Sequence, residues 1–245
     1  MKIVTVSYLN TLPFIQGLEK AGFDLVKAYP AQCAELLHAG KADIALIPVG
    51  ALQENQEYYI LSEYGIGADG FVRTVALFGS EPMEEWTELF LDYQSRTSVL
   101  LTRVLMKYYW KRDIPFTKGT KGYEELLTNN RGGLIIGDRA FTYEEKYPYQ
   151  YDLSKAWKMW TGLPFIFAVW VSLKKIDSKK VEGFANSLEF GLQNFQISSA
   201  MTNLSIHMES YFKENISFRF SQDHWKAFEK FNGYTGRNNL KVHRL

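Results

Sequence analysis

Val6-Ser7-Tyr8-Leu9-Asn10-Thr11-Leu12-Pro13-Phe14 hands an N-terminal strand over to a helix. The residues before it, 2–7, alternate as a half-buried strand does, and Pro13 suits the first turn of a helix. Between them lies a polar cluster of Ser7, Asn10 and Thr11. In an open α/β sheet, ligands bind beyond the carboxyl ends of the strands, where the next helix offers unpaired N–H groups. These nine residues therefore describe either a ligand-binding βα turn or an ordinary capped one.

Working outward, strands are expected over 3–7, 24–29, 43–49, 58–63 and 72–78, with helices over 14–21 and 31–39. Cys33, Leu36 and Leu37 share one face of the second helix, Gly40 stops it, and Pro48 ends the third strand. A short strand over 89–92 follows, then a polar loop and a helix with Leu101, Val104, Leu105 and Tyr108 at i, i+3, i+4 and i+7. Buried strands are expected over 133–137 and 165–172. From Lys179 onward strand signals vanish, and Val181, Phe184, Ala185, Leu188, Leu192 and Phe195 pattern an amphipathic helix with further helices after it.

This alternation predicts an α/β protein built of βαβ units on a largely parallel sheet. The chain is expected to leave one lobe, build a second and return. Residues 1–75 and 173–245 form the first lobe in this reading and 76–172 the second, with crossings near 72–78 and 165–172.

Composition narrows the function. The chain has 245 residues, 46% of them apolar and 22% charged, as in a soluble globular protein. Lys and Arg number 28 against 27 Asp and Glu, so a net charge of +1 gives no field for nucleic acid or an anionic membrane. Cys33 is the only cysteine, and His38, His207, His224 and His243 lack metal-ligand spacing. His38 reads as structural or as a helix-end charge. The N-terminus has no export-signal pattern, and the longest apolar run, 163–173, is too short to span a bilayer. A cytoplasmic protein with a small-molecule ligand is expected, without metal, nucleic-acid or membrane partner; the oligomeric state is left open.

Three further stretches could carry chemistry. Asp92-Tyr93-Gln94-Ser95-Arg96-Thr97-Ser98 joins a strand end to a helix and offers the hydroxyls of Ser95, Thr97 and Ser98 with the guanidinium of Arg96. Donors at a helix N-terminus beside a cation suit a carboxylate or phosphate, although a Ser N-cap with a surface arginine has the same sequence. The stretch 65–74 reads as a glycine-bearing loop running into a strand, with Arg73 as a second cation, or as a plain turn. Gly137 and Asp138 end a buried strand at a possible cleft edge, where Asp138 also reads as a helix cap. No nucleophile elbow, Walker loop or paired-cysteine motif occurs. A small polyanion, bound or converted without cofactor, fits these residues.

Taken in order, these stretches resemble the chorismate dehydratases of the futalosine route to menaquinone. The resemblance rests on 7–14, 43–49, Asp69-Gly70-Phe71-Val72-Arg73-Thr74-Val75, 95–98, Gly137-Asp138, and Trp157 to Trp170 with its Thr161-Gly162-Leu163-Pro164-Phe165 core. It spans nearly the whole chain. It implies a two-lobed, periplasmic-binding-protein-like (type II) α/β fold with central mixed sheets and a ligand cleft between the lobes. The sister family, 1,4-dihydroxy-6-naphthoate synthase, carries a catalytic histidine where this chain has Gly137. That departure, with the Leu9-Asn10-Thr11-Leu12-Pro13 turn, points to the dehydratase. A non-catalytic small-carboxylate binder of the same fold is the remaining alternative.

The implied reaction is a cofactor-independent hydro-lyase step, chorismate to 3-[(1-carboxyvinyl)oxy]benzoate and water. Loss of the C4 hydroxyl with the C3 proton completes an aromatic ring. Asn10 matches the family asparagine implicated in catalysis, and its amide is suited to orienting the ring or hydrogen-bonding the departing hydroxyl. Arg96, Thr97 and Ser98, with Ser95, are expected to hold one carboxylate, and Arg73 the other, with Gly137 and Asp138 at the cleft edge. The proton acceptor is left as a substrate carboxylate, a water or a further side chain.

Overall fold

The computed structural model describes residues 1–197 and 208–245 and contains two sheets. His207 lies outside the described residues. The first sheet begins with β1 (Lys2–Val6), β2 (Asp24–Ala28) and β3 (Ile44–Pro48), connected by α1 (Leu12–Lys20) and α2 (Pro30–His38). β1 pairs in parallel with β2 and with β3, so it lies between them, one strand in from the sheet edge at β2. It is buried from Ile3 to Val6, because helices cover both faces of such a sheet. α1 presents Phe14, Ile15 and Leu18 inward, and Gly17 and Gly191 let α1 and α6 (Ser178–Asn194) approach so closely that added Cβ atoms would meet backbone at 1.9 and 2.1 Å. His38 ends α2 and its Nε2 lies 2.7 Å from the Tyr58 hydroxyl, a structural placement.

β4 (Glu57–Ala68) is longer than the sequence pattern suggests. Gly65 and Gly67, read as loop, are strand residues here. An added Cβ at Gly65 would lie 2.7 Å from the Phe220 ring, so packing rather than turning requires glycine. The chain then enters the second sheet through β5 (Val75–Gly79), β6 (Glu88–Leu91), α3 (Arg96–Val104), β7 (Phe116–Lys118), β8 (Arg131–Ile136), α4 (Arg139–Tyr143), β9 (Tyr149–Asp152) and α5 (Leu153–Thr161). Its strand order is β7-β6-β8-β5-β9, and α3 continues through a π turn over Leu105–Tyr109.

β10 (Phe165–Ser172) returns to the first sheet between β3 and β4, antiparallel to both. Two expectations change here. The sheet is mixed, as the family resemblance implied, rather than largely parallel as the strand–helix alternation alone suggested, and 165–172, assigned to the second lobe, hydrogen-bonds into the first sheet. The chain passes between sheets in short connections, 69–74 and 162–164, not in the strands themselves. The C-terminal part is also not all helical. After α7 (Met208–Ser210) come β11 (Ser217–Arg219), α8 (Gln222–Tyr234) and β12 (Lys241–Arg244), the two strands pairing with β4. Both are three or four residues long and draw their register from β4, which leaves little periodicity to read.

Candidate active site

A cleft opens where the carboxyl ends of β1, β3, β6 and β8 converge, enclosing about 560 Å³ of space that is partly open to solvent. From the first sheet it takes Tyr8, Asn10, Thr11 and Pro48; from the second, Ser95, Thr97, Ser98 and Gly137. Ile66, Val72 and Phe167 give it apolar walls. Among the described residues no Asp, Glu, Lys or Arg side chain lines it.

The β1–α1 turn is a single 3-10 turn over Leu9–Thr11. The Thr11 hydroxyl bonds the Val6 carbonyl at 2.6 Å and the Tyr8 carbonyl at 2.8 Å, so the turn is tied to the strand that feeds it. Asn10 projects from this turn into the cleft, and its amide hydrogen-bonds the Tyr211 hydroxyl. Tyr211 is fully enclosed, pairs its hydroxyl with Thr74 Oγ1 at 3.0 Å, and stays protonated because burial raises its pKa. Nothing in the local sequence around 211 announces this contact, which joins residues 137 positions apart.

At the opposite wall Ser95 caps α3, accepting from the Ser98 amide at 3.0 Å and donating to Ser98 Oγ at 2.9 Å. That leaves the Ser98 hydroxyl proton and the amides of Arg96 and Thr97 without acceptors among the described residues. Three donors at the positive end of a helix are an arrangement suited to an anion. The Thr97 hydroxyl is already committed, accepting from the Gly50 amide at 3.0 Å and donating to the Phe167 carbonyl at 3.1 Å. Its part is to seat α3 against the first sheet.

Both expected arginines lie elsewhere. Arg96 is exposed and its side chain is not part of the cleft lining. Arg73 has a left-handed backbone, φ 69°, and its guanidinium grips Glu144 in a two-pronged ion pair at 2.8 Å over the Phe141 ring. Its guanidinium is thus occupied by Glu144 and lies outside the cleft lining.

Gly137 lines the cleft with φ 63°, and an added Cβ would stand 3.1 Å from the Tyr8 ring. A side chain at 137 and the Tyr8 ring therefore compete for one space. Asp138 does not cap α4. Its carboxylate accepts the Leu9 amide at 3.3 and 3.4 Å, and burial lifts its pKa from 3.8 to about 6. Tyr8 donates its hydroxyl to Gln94 Oε1 at 2.7 Å and is held protonated, chiefly by burial and then by the nearby Asp92. Gln94 in turn receives Arg139 Nη2 at 3.2 Å, and Arg139 is ion-paired with the buried Asp92 and with Glu124. Tyr8, Thr74, Gln94 and Tyr211 are the site residues that sequence reasoning did not single out.

No group of three or more potential metal ligands occurs among the described residues, and no described helix is long and apolar enough to cross a membrane. A family model described as menaquinone biosynthesis matches residues 1–237. A chorismate dehydratase of Thermus thermophilus is 29% identical over 181 residues, covering 66% of each chain. One from Campylobacter jejuni is 29% identical over 169 residues, 69% of this chain and 61% of that one. The matched stretch thus spans somewhat under two thirds of these relatives. Among solved structures, a protein of Archaeoglobus fulgidus aligns with a TM-score of 0.74 at 13% identity, over 97% of both chains. The Candida albicans CA3427 gene product, described as having the generic periplasmic binding protein fold, aligns at 0.63 and 12% identity, over 99% of this chain and 95% of that one. The fold is periplasmic-binding-protein-like, α/β with mixed sheets.

Proposed function

The chain belongs to the menaquinone-biosynthesis family, and from that premise we propose that it is a chorismate dehydratase, a cofactor-independent carbon–oxygen lyase. The observation that carries this reading is the pairing of Asn10 with an anion-binding helix start across one apolar cleft. Two relatives of that name support it.

In this reading the α3 amides of Arg96 and Thr97 and the Ser98 hydroxyl hold a chorismate carboxylate, the role first expected of the Arg96 side chain. Asn10 faces the ring and hydrogen-bonds the C4 hydroxyl as it departs. Breaking the C4–O bond and removing the C3 proton forms the last ring double bond, releasing water and an aromatic ether. Among the described lining residues Tyr8 is the only side chain with a titrating proton, and it is already protonated. The C3 proton therefore goes to a substrate carboxylate or a water. Walls such as Phe167 and Ile66 exclude other water and hold the enolpyruvyl group in one pose, which favours elimination over rearrangement.

The test is incubation of the purified, metal-free protein with chorismate, with products separated and weighed. A product one water lighter that keeps the enolpyruvyl group is expected. Unchanged chorismate from folded protein overturns the reading and moves attention to the sister reaction or to simple binding.

A further inference from the structure

Asn10 has no strong tether of its own to the second sheet, yet the two residues before it do. The Tyr8 hydroxyl donates to Gln94 Oε1 at 2.7 Å, and the Leu9 amide donates to the Asp138 carboxylate at 3.3 and 3.4 Å. Gln94 is itself anchored: its amide bonds Asp92 Oδ1 at 2.7 Å, and its side-chain oxygen also receives Arg139. Asp138 follows Gly137, whose amide is fixed to the Thr74 carbonyl at 2.8 Å. The turn between these grips and Asn10 is stiff, since Thr11 ties it back to Val6 and Tyr8 through side chain and backbone. A shift at Tyr8 or Leu9 is thus passed to Asn10 rather than absorbed.

We infer that Gln94 and Asp138 are positioning residues for Asn10, placing its amide in the cleft by gripping the two residues before it from the other sheet. The inference rests on the reading of Asn10 as the group that meets the departing hydroxyl. It reassigns Asp138 from ligand contact to support, and it gives Gln94 a purpose that the sequence pattern did not. It also ties the catalytic geometry to apposition of the two sheets, because each grip crosses between them.

The test compares Asp138→Asn with Asp138→Ala, since asparagine keeps an acceptor for the Leu9 amide and loses the charge. With chorismate as substrate, Asp138→Ala is expected to lower kcat about tenfold, the scale of one lost hydrogen bond, with KM within about twofold. Asp138→Asn is expected to keep kcat within about threefold of the parent. Equal loss in both variants, or no loss in Asp138→Ala, overturns the inference; the first result assigns the carboxylate to the ligand or the proton instead. If Asp138→Ala fails to fold, Gln94→Leu takes its place with the same expected fall in kcat, and parental kcat there is the overturning result. Hydrogen exchange of the Leu9 amide gives a readout independent of turnover. Its protection should persist in Asp138→Asn and fall by about an order of magnitude in Asp138→Ala. If the parent does not convert chorismate, the proposed reaction fails, and exchange alone decides the grip: unchanged Leu9 protection in Asp138→Ala then overturns it.

Discussion

Asn10 and Ser98 face one cleft with different tasks, and kinetics separates them. On the proposed reaction Asn10 meets the departing oxygen where charge develops, so Asn10→Ala should cost about 100-fold in kcat, as loss of a preorganised donor does elsewhere. Ser98 offers a hydroxyl to a carboxylate whose charge is the same in ground and transition states. Ser98→Ala should therefore raise KM by about fivefold to tenfold and leave kcat near parental. A KM effect at Asn10 with intact kcat would remove it from the chemistry. Asp138 adds a signature in stability. Its folded pKa of about 6 lies above the ordinary 3.8 because burial disfavours the charged form. Such a group contributes stability below pH 4 that is lost as pH rises through 6. Asp138→Asn lacks this loss, so its unfolding free energy should gain on the parent between pH 4 and 7, by about 3 kcal/mol at most. Urea unfolding at several pH values measures the gain, and a constant difference would show that Asp138 titrates normally.

At the scale of elements, Asp152 does more than begin a helix. Its Oδ1 caps α5 through the Lys155 amide at 2.8 Å, while Oδ2 takes the Val72 and Arg73 amides at 3.1 and 2.7 Å. One buried carboxylate thus holds the connection between β4 and β5 in the left-handed turn at Arg73. Asp152→Ala leaves three amides unpaired and should cost about 3 kcal/mol, read as a lower urea midpoint. The same contact explains what the sequence could and could not tell. β1 was legible from its alternation, and β3 and β10 because apolar runs bounded by Pro48 and Pro164 carry their own pattern. β7, β9, β11 and β12 were not, since three or four residues take their register from a partner strand. Arg73 looked like a ligand group because sequence shows a cation and hides Glu144, 71 positions away. At the α3 start the sequence showed the hydroxyls and the helix opening, but not that Arg96 would be exposed and outside the cleft lining.

For the whole molecule, the structure brings the two sheets together around a cleft that ligand must enter. The Tyr8–Gln94, Leu9–Asp138 and Thr97–Gly50 bonds all cross between them, so any opening of the lobes to widen the cleft mouth parts these bonds. Among the described residues two short connections join the sheets, and each contains a glycine with positive φ, Gly70 at 110° and Gly162 at 75°. Lys158, in the last turn of α5 just ahead of the second connection, pairs with Asp69 in the first, which sets the two connections side by side as one axis. Few residues need change conformation for the lobes to swing about it, as in hinge closure. A ligand that fills the space between Asn10 and Ser98 bridges the lobes and favours the closed state by its contacts to both. A folded chain of this length has a radius of gyration of about 18 Å. X-ray scattering of the free protein should exceed its complex with 3-[(1-carboxyvinyl)oxy]benzoate by about 1 Å, since that product has the shape and charge of the substrate without its reactivity. Gln94→Leu, which loses a cross-sheet bond but no hinge residue, should need more ligand for the same compaction. Identical curves with and without saturating product would mean that ligand enters a cleft already closed, and the hinge would have no part in binding.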